Sequence, residues 1–178
     1  MTGNESIEPS VQHMRWRLGG AGWASWLWSV EEEQLRVAAS YAMQPQALGD
    51  FMTGVRDLLL GCSATFVTLF DEPNGTRVFF NQDGEEVFVQ VVSYPCLWEP
   101  ADWWTDAKLV WAGRVSTHEF VNAFIRMVEE LLSEHGTDGY SRNWCHAFPA
   151  EEWASLRAAY NLPNHPPPQA ARASGPKT

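Results

Sequence analysis

Alternating apolar and polar residues predict three β-strands at the start of the chain. In the first, Met14, Trp16 and Leu18 share one face, while the arginines between them point the other way, as in a half-buried strand. The same two-residue period returns over 24–30 and 35–41. A glycine-rich turn and a charged reversal separate the runs, so the chain is predicted to open with a three-stranded meander.

The period changes after Pro45. Apolar residues recur every three or four positions from Leu48 to Leu59, which predicts an amphipathic helix that Gly61 ends. The two-residue period then returns between clusters of turn residues. Four more strands are predicted over 64–70, 77–80, 87–92 and 108–115.

Two helices follow the last strand. Ser116 and Glu119 form a capping box, which opens a long helix over about 117–135 that Gly136 stops. A shorter helix is predicted over 151–160. The order βββ-α-ββββ-α-α predicts an α+β fold with a largely antiparallel sheet of about six to seven strands. This sheet would pack against two long helices and one short C-terminal helix.

The 178 residues have room for one domain of ordinary size, which we expect over 12–161. Residues 1–11 are predicted to be a disordered arm, because they are polar and lack an apolar period. The Pro/Ala-rich segment 162–178 is predicted to be a disordered tail.

The net charge of −10 restricts the class of partner. Nucleic acids and anionic membranes are bound through clustered lysine and arginine, and this chain has only 12 such residues, without a cluster. We therefore expect neither a nucleic-acid nor a membrane partner. An acidic surface favours encounter with a basic protein, because long-range attraction speeds association.

The cysteines and the N-terminus predict a cytoplasmic location. Cys62, Cys96 and Cys145 are an odd number without metal-ligand spacing, which suits a reducing compartment. The N-terminal residues are polar and acidic, unlike a signal peptide. No run approaches the roughly 20 apolar residues of a membrane helix.

Spacing nominates no catalytic residue, metal ligand or cofactor site. His118 and Glu119 do not extend to a zinc-binding helix motif, because position 122 is asparagine. Cys145 and His146 are adjacent, but the sequence has no second closely spaced pair of ligands that would complete a zinc site with them. No serine lies in a nucleophile elbow, although two distant carboxylates that meet in space remain possible. These patterns favour a non-enzymatic protein.

The connection 94–106 is the leading candidate for a functional surface. It is irregular and combines tryptophans with acids, the residue types that form the anchors and rims of interfaces. Its candidate residues are Trp98, Glu99, Asp102, Trp103, Trp104 and Asp106. The connection either folds its indoles over the sheet or presents them to a partner. A second irregular loop with aromatic residues is predicted over 138–146.

Two resemblances accompany these patterns. The STHEF helix start and the run EHGTDGYSRNWCHAFP are similar to small uncharacterised proteins of actinobacterial type, over roughly 14–160. In size, charge and α+β class the chain also resembles the immunity proteins of bacterial polymorphic toxin systems. Those are often small acidic α+β domains of the cytoplasm that bind and block a toxin domain, so the resemblance implies a toxin domain as partner.

The leading hypothesis is an immunity-like inhibitor that binds and neutralises a basic toxin or enzyme. Besides the connection residues, Glu31, Glu32 and Glu33 would contribute acidic contacts. The alternative is a small-molecule-binding protein or enzyme with a pocket between sheet and helices, lined by Trp26 and Trp28 and by Trp111. A third hypothesis is a subunit module, which leaves the state open between monomer and homodimer.

Overall fold

The computed structural model describes residues 12–97, 99 and 104–162. The predicted arm, the tail from 163 onward and the candidates Trp98, Asp102 and Trp103 lie outside these residues. The strands are β1 (His13–Gly20), β2 (Trp23–Val30), β3 (Glu33–Ser40), β4 (Ala64–Asp71), β5 (Asn74–Asp83), β6 (Glu86–Tyr94) and β7 (Lys108–Ser116). The helices are α1 (Ala47–Leu59), α2 (Thr117–Trp144) and α3 (Ala150–Tyr160).

The α+β class and the antiparallel pairing are confirmed, but the strands form two sheets and not one. The first sheet has the order β1-β2-β3, and the second has the order β4-β5-β6-β7. Strands β3 and β4 lie side by side, and the Ser40 hydroxyl donates to the Glu72 carboxylate there, yet no backbone ladder joins them. The single-sheet prediction was wrong because hairpin turns fix strand pairing, whereas the helical connection through α1 leaves it unspecified.

The core lies between the inner faces of both sheets and the helices α1 and α2. Phe80 on the inner face of β5 contacts Phe51 of α1 and Phe120 of α2. Trp26 of the first sheet also contacts Phe51, with ring centroids 4.9 Å apart. Helix α3 packs against α1, and Tyr160 donates to Asn122 of α2. All three helices therefore lie on the inner side of the second sheet.

Helix α2 consists of two helical segments, and the first ends at the predicted stop. Gly136 interrupts it with φ 60° and ψ 178°, a conformation that only glycine adopts readily, so the predicted stop is a kink. The helix then resumes and ends at Trp144. The predicted irregular loop over 138–146 was wrong up to that residue. Tyr140 and Trp144, one turn apart, are both buried, and their burial fixes the second helical segment against the core.

Candidate functional site: the aromatic face

The outer side of the second sheet carries a continuous set of aromatic and aliphatic side chains. Cross-strand pairs such as Phe66 with Phe79, and Val92 with Leu109, place these residues on one face. We call this surface the aromatic face. Its members are Phe66, Phe70, Phe79, Phe88, Val92, Tyr94, Trp104 and Leu109. Phe66 is 47% exposed and Leu109 is 55% exposed, and no described helix covers them.

Arg77 lies within the aromatic face, beneath the rings of Trp104 and Tyr94. Its side chain is 2% exposed, and its guanidinium lies 4.0 Å from the ring centroid of Trp104 and 4.5 Å from that of Tyr94. The Nε group also donates to the Thr68 hydroxyl at 3.3 Å. A guanidinium between two rings is held by cation–π attraction, which strengthens where water is excluded. Arg77 and the edge-on contacts with Phe66 and Tyr94 hold Trp104 in position although 58% of it is exposed.

The connection between β6 and β7 folds back over one end of this face. The Leu97 amide donates to the Pro73 carbonyl at 2.7 Å, and the Leu97 side chain covers Gly75 of β5. A Cβ atom at Gly75 would lie 2.1 Å from the Leu97 Cδ1 methyl, so a larger residue there would displace the Leu97 side chain. Tyr94 and Leu97 are buried, yet they lie outside the main core. They form a small cluster separate from the main core, and Trp104 packs on it.

Carboxylates border the aromatic face at every turn of the second sheet. We call them the acid rim: Asp71, Glu72, Asp83, Glu85, Glu86, Glu99 and Asp106. The cations of the same region are Arg77, which is buried, and Lys108 and Arg114 on the edge strand β7. The combination of an apolar centre and a charged border is the usual anatomy of a protein interface.

The candidate interface residues predicted from the sequence lie at two separate places in the structure. Glu99, Trp104 and Asp106 are exposed on the same connection. Glu31, Glu32 and Glu33 are exposed at the turn that opens β3, whereas Ser40, at the other end of β3, is the residue that contacts Glu72. Glu33 and Ser40 are seven residue steps apart along an extended strand, which is roughly 23 Å. The glutamates therefore form a separate acidic patch, away from the aromatic connection.

Sequence reasoning missed Arg77 and Phe66. Both lie in strands that were predicted correctly, at positions of the outward-facing period. An arginine at such a position is normally solvent-exposed, and only the fold of the β6–β7 connection buries it. The available signal was that phenylalanines occupy outward positions of neighbouring strands. A solvent-exposed sheet face needs no phenylalanine, so their presence indicates a surface that another element or molecule covers.

The aromatic residues of the alternative pocket hypothesis contact one another. Trp26 and Trp28 are stacked with centroids 5.4 Å apart, and Trp111 meets Trp28 edge-on at 5.0 Å. Trp26 and Trp28 are fully buried, so the interior is filled at this point. Within the described ranges, no three potential metal ligands converge, and no helix has the length and apolarity to cross a membrane.

The carboxyl group of Asp71 in the acid rim has a raised pKa. Partial burial raises the pKa of this carboxyl above its usual value of 3.8, Arg36 opposes the rise, and Glu72 adds to it. The folded state then holds the Asp71 proton more tightly than the unfolded state does. Ionisation of Asp71 therefore lowers stability as the pH rises above 3.8.

Asp71→Asn is accordingly expected to raise the free energy of unfolding at pH 7, by less than about 1 kcal/mol because the carboxyl is partly solvated. The gain should shrink as the pH falls towards 3.8, where the wild-type carboxyl takes up its proton in both states. Urea denaturation between pH 4 and pH 7 measures this. A constant difference between Asp71→Asn and wild type at all pH values would contradict the assignment.

Comparison with family models, with curated proteins and with solved structures gives no match. The function proposed below rests on the geometry and charge of the chain itself.

Proposed function

We propose that the chain is a non-catalytic protein-binding module that docks a basic partner on the aromatic face, as an immunity-like inhibitor that neutralises a basic toxin or enzyme. The observation that carries the proposal is the exposed Trp104, held in place by Arg77 at the centre of an acid-rimmed apolar surface. A pre-positioned tryptophan loses little conformational entropy on binding, which is why such residues become interface anchors.

Charge supports a basic partner in particular. The acid rim places carboxylates at both ends of the second sheet, and the whole chain carries −10. Lysines and arginines on a partner would meet these carboxylates at the border, while an apolar side chain covered Trp104 and Phe66. Border charges act mainly on the association rate, so binding should weaken at high salt.

The test is an affinity capture from the native cell lysate at low and high salt, with the wild-type chain and with Trp104→Ala/Phe66→Ala. The captured protein is then purified and its dissociation constant measured against both. We expect one basic protein, with an affinity reduced by about 2 kcal/mol or more in the variant, which is roughly 30-fold.

Leu60→Ala is the matched control, because Leu60 is 59% exposed beyond the end of α1 and away from the aromatic face. It should retain the partner with unchanged affinity. Equal retention by the double variant would show that binding uses another surface. A partner that is acidic, or insensitive to salt, would contradict the inhibitor hypothesis.

A further inference from the structure

The outer side of the first sheet differs in charge from the rest of this acidic chain. The register of β1, β2 and β3 places its outward residues in rows across the strands. We call this surface the basic face. Its rows are His13, Ser29 and Gln34, then Arg15, Leu27 and Arg36, then Arg17, Ser25 and Ala38. Three arginines and no carboxylate occupy these positions.

The positive charge of the basic face is only partly neutralised. Arg15 pairs with Glu134 of α2 at 2.6 Å. Arg36 donates to the Ser25 hydroxyl at 3.4 Å and interacts with the Asp71 carboxyl beyond β3. Arg17 is exposed and makes no ion pair within the described part of the chain. Glu130 of α2 also lies 4.0 Å from His13. Among the described residues, Arg17 and Arg36 are the arginines of this face that make no ion pair, on a chain whose total charge is −10.

Apolar surface lies within the same face. Leu27 is half-buried between Arg15 and Arg36, at the centre of the rows and in a shallow depression. Trp23, on the same side of β2, is 41% exposed at one end. Tryptophan and arginine are the two residue types most enriched among the residues that dominate interface energy.

We propose that the basic face binds an acidic segment of a partner protein, with carboxylates on Arg17 and Arg36 and an apolar side chain over Leu27 and Trp23. A second copy of this face is a poor occupant, because two arginine-bearing surfaces would repel each other. A nucleic acid is also disfavoured, because its long phosphate backbone would meet the surrounding negative charge. A short acidic segment can lie across Arg17 and Arg36, away from Glu130 and Glu134, which border His13 and Arg15.

The test is selection of random 12-residue peptides displayed on phage against the full-length chain. We expect selected peptides to be rich in Asp and Glu and to contain an apolar residue. Synthetic copies of them should bind Arg17→Ala/Arg36→Ala about tenfold or more weakly than wild type. Trp23→Ala should also weaken them. Arg142→Ala, which removes an exposed arginine of α2, should leave their affinity unchanged.

Three outcomes would overturn the proposal. Selected peptides without acidic enrichment, or no selected peptides, would show that the face does not recognise an acidic segment. Equal binding to Arg17→Ala/Arg36→Ala would place the peptides elsewhere. A tenfold gain in affinity on Glu5→Gln/Glu8→Gln would make the chain's own acidic residues before Gln12 the occupant. Trp104→Ala should change none of these results, so the basic face is tested independently of the aromatic face.

Discussion

Replacing Trp144 by alanine is expected to lower the free energy of unfolding by about 3–5 kcal/mol. The indole is fully buried at the end of α2, and its Nε1 group donates to the Pro45 carbonyl at 2.8 Å. Its ring meets the rings of Trp16 in β1 and Tyr41 beside β3, with centroids 6.3 Å away in each case. Loss of this side chain removes the ring contacts of the second segment of α2 with Trp16 and Tyr41, while the backbone hydrogen bond from Gly22 to the Asn143 carbonyl remains.

Trp144→Phe separates the hydrogen bond from the packing. Phenylalanine keeps most of the ring contacts but leaves the Pro45 carbonyl without its indole donor, so we expect a smaller loss of about 1–3 kcal/mol. Chemical denaturation measures both variants, and unchanged m-values would show that the folded state is retained. Trp23→Ala is the control, since its exposed ring should cost about 0.5 kcal/mol or less. A Trp144→Ala midpoint as high as that of Trp23→Ala would contradict the observed packing.

Local periodicity was enough to predict the strands and helices. Strand alternation and the apolar stripe from Leu48 to Leu59 arise from burial of one face, so they are visible without knowing the fold. The hairpins could also be predicted locally, because Asp83-Gly84 and the other tight turns fix which strands pair. The predicted start of α2 is also confirmed, since the Ser116 hydroxyl caps the helix by accepting from the Glu119 amide at 3.3 Å.

The division into two sheets and the length of α2 depend on contacts between distant residues. No local pattern shows that β3 and β4 will lie side by side without a ladder. Gly136 is a good helix stop by its residue type, and the helix resumes only because Tyr140 and Trp144 find buried sites on the first sheet and its neighbours. Tertiary packing here outweighs the local preference.

The candidate surfaces were only partly visible in the sequence for a similar reason. Trp104, Glu99 and Asp106 stood out by composition, whereas the aromatic face depends on the register of four strands. The basic face likewise depends on the register that aligns Arg15 with Arg36 across β2. Residue types suggest that an interface exists, and strand register decides which side chains share it.

Arg77→Ala is expected to lower the free energy of unfolding by about 2–4 kcal/mol and to release Trp104 from its fixed position. The guanidinium is the contact shared by Trp104 and Tyr94, and both rings lose it together. Arg77→Lys should recover only part of the loss, because an ammonium group lacks the planar surface that lies over the Trp104 ring. The interior residues of β5, including Phe80, should keep their packing.

Denaturation measures the stability loss, and the indole N–H signals in a ¹H–¹⁵N spectrum measure the release. Comparison with Trp104→Phe assigns the Trp104 signal, which should move to a solvent-like position in Arg77→Ala while the other indole signals stay in place. Arg114→Ala is the matched control, since Arg114 is exposed and lies over a single ring, that of Phe88. An unchanged Trp104 signal in Arg77→Ala would mean that the indole is held by other contacts. The anchor of the aromatic face would then not depend on the buried arginine.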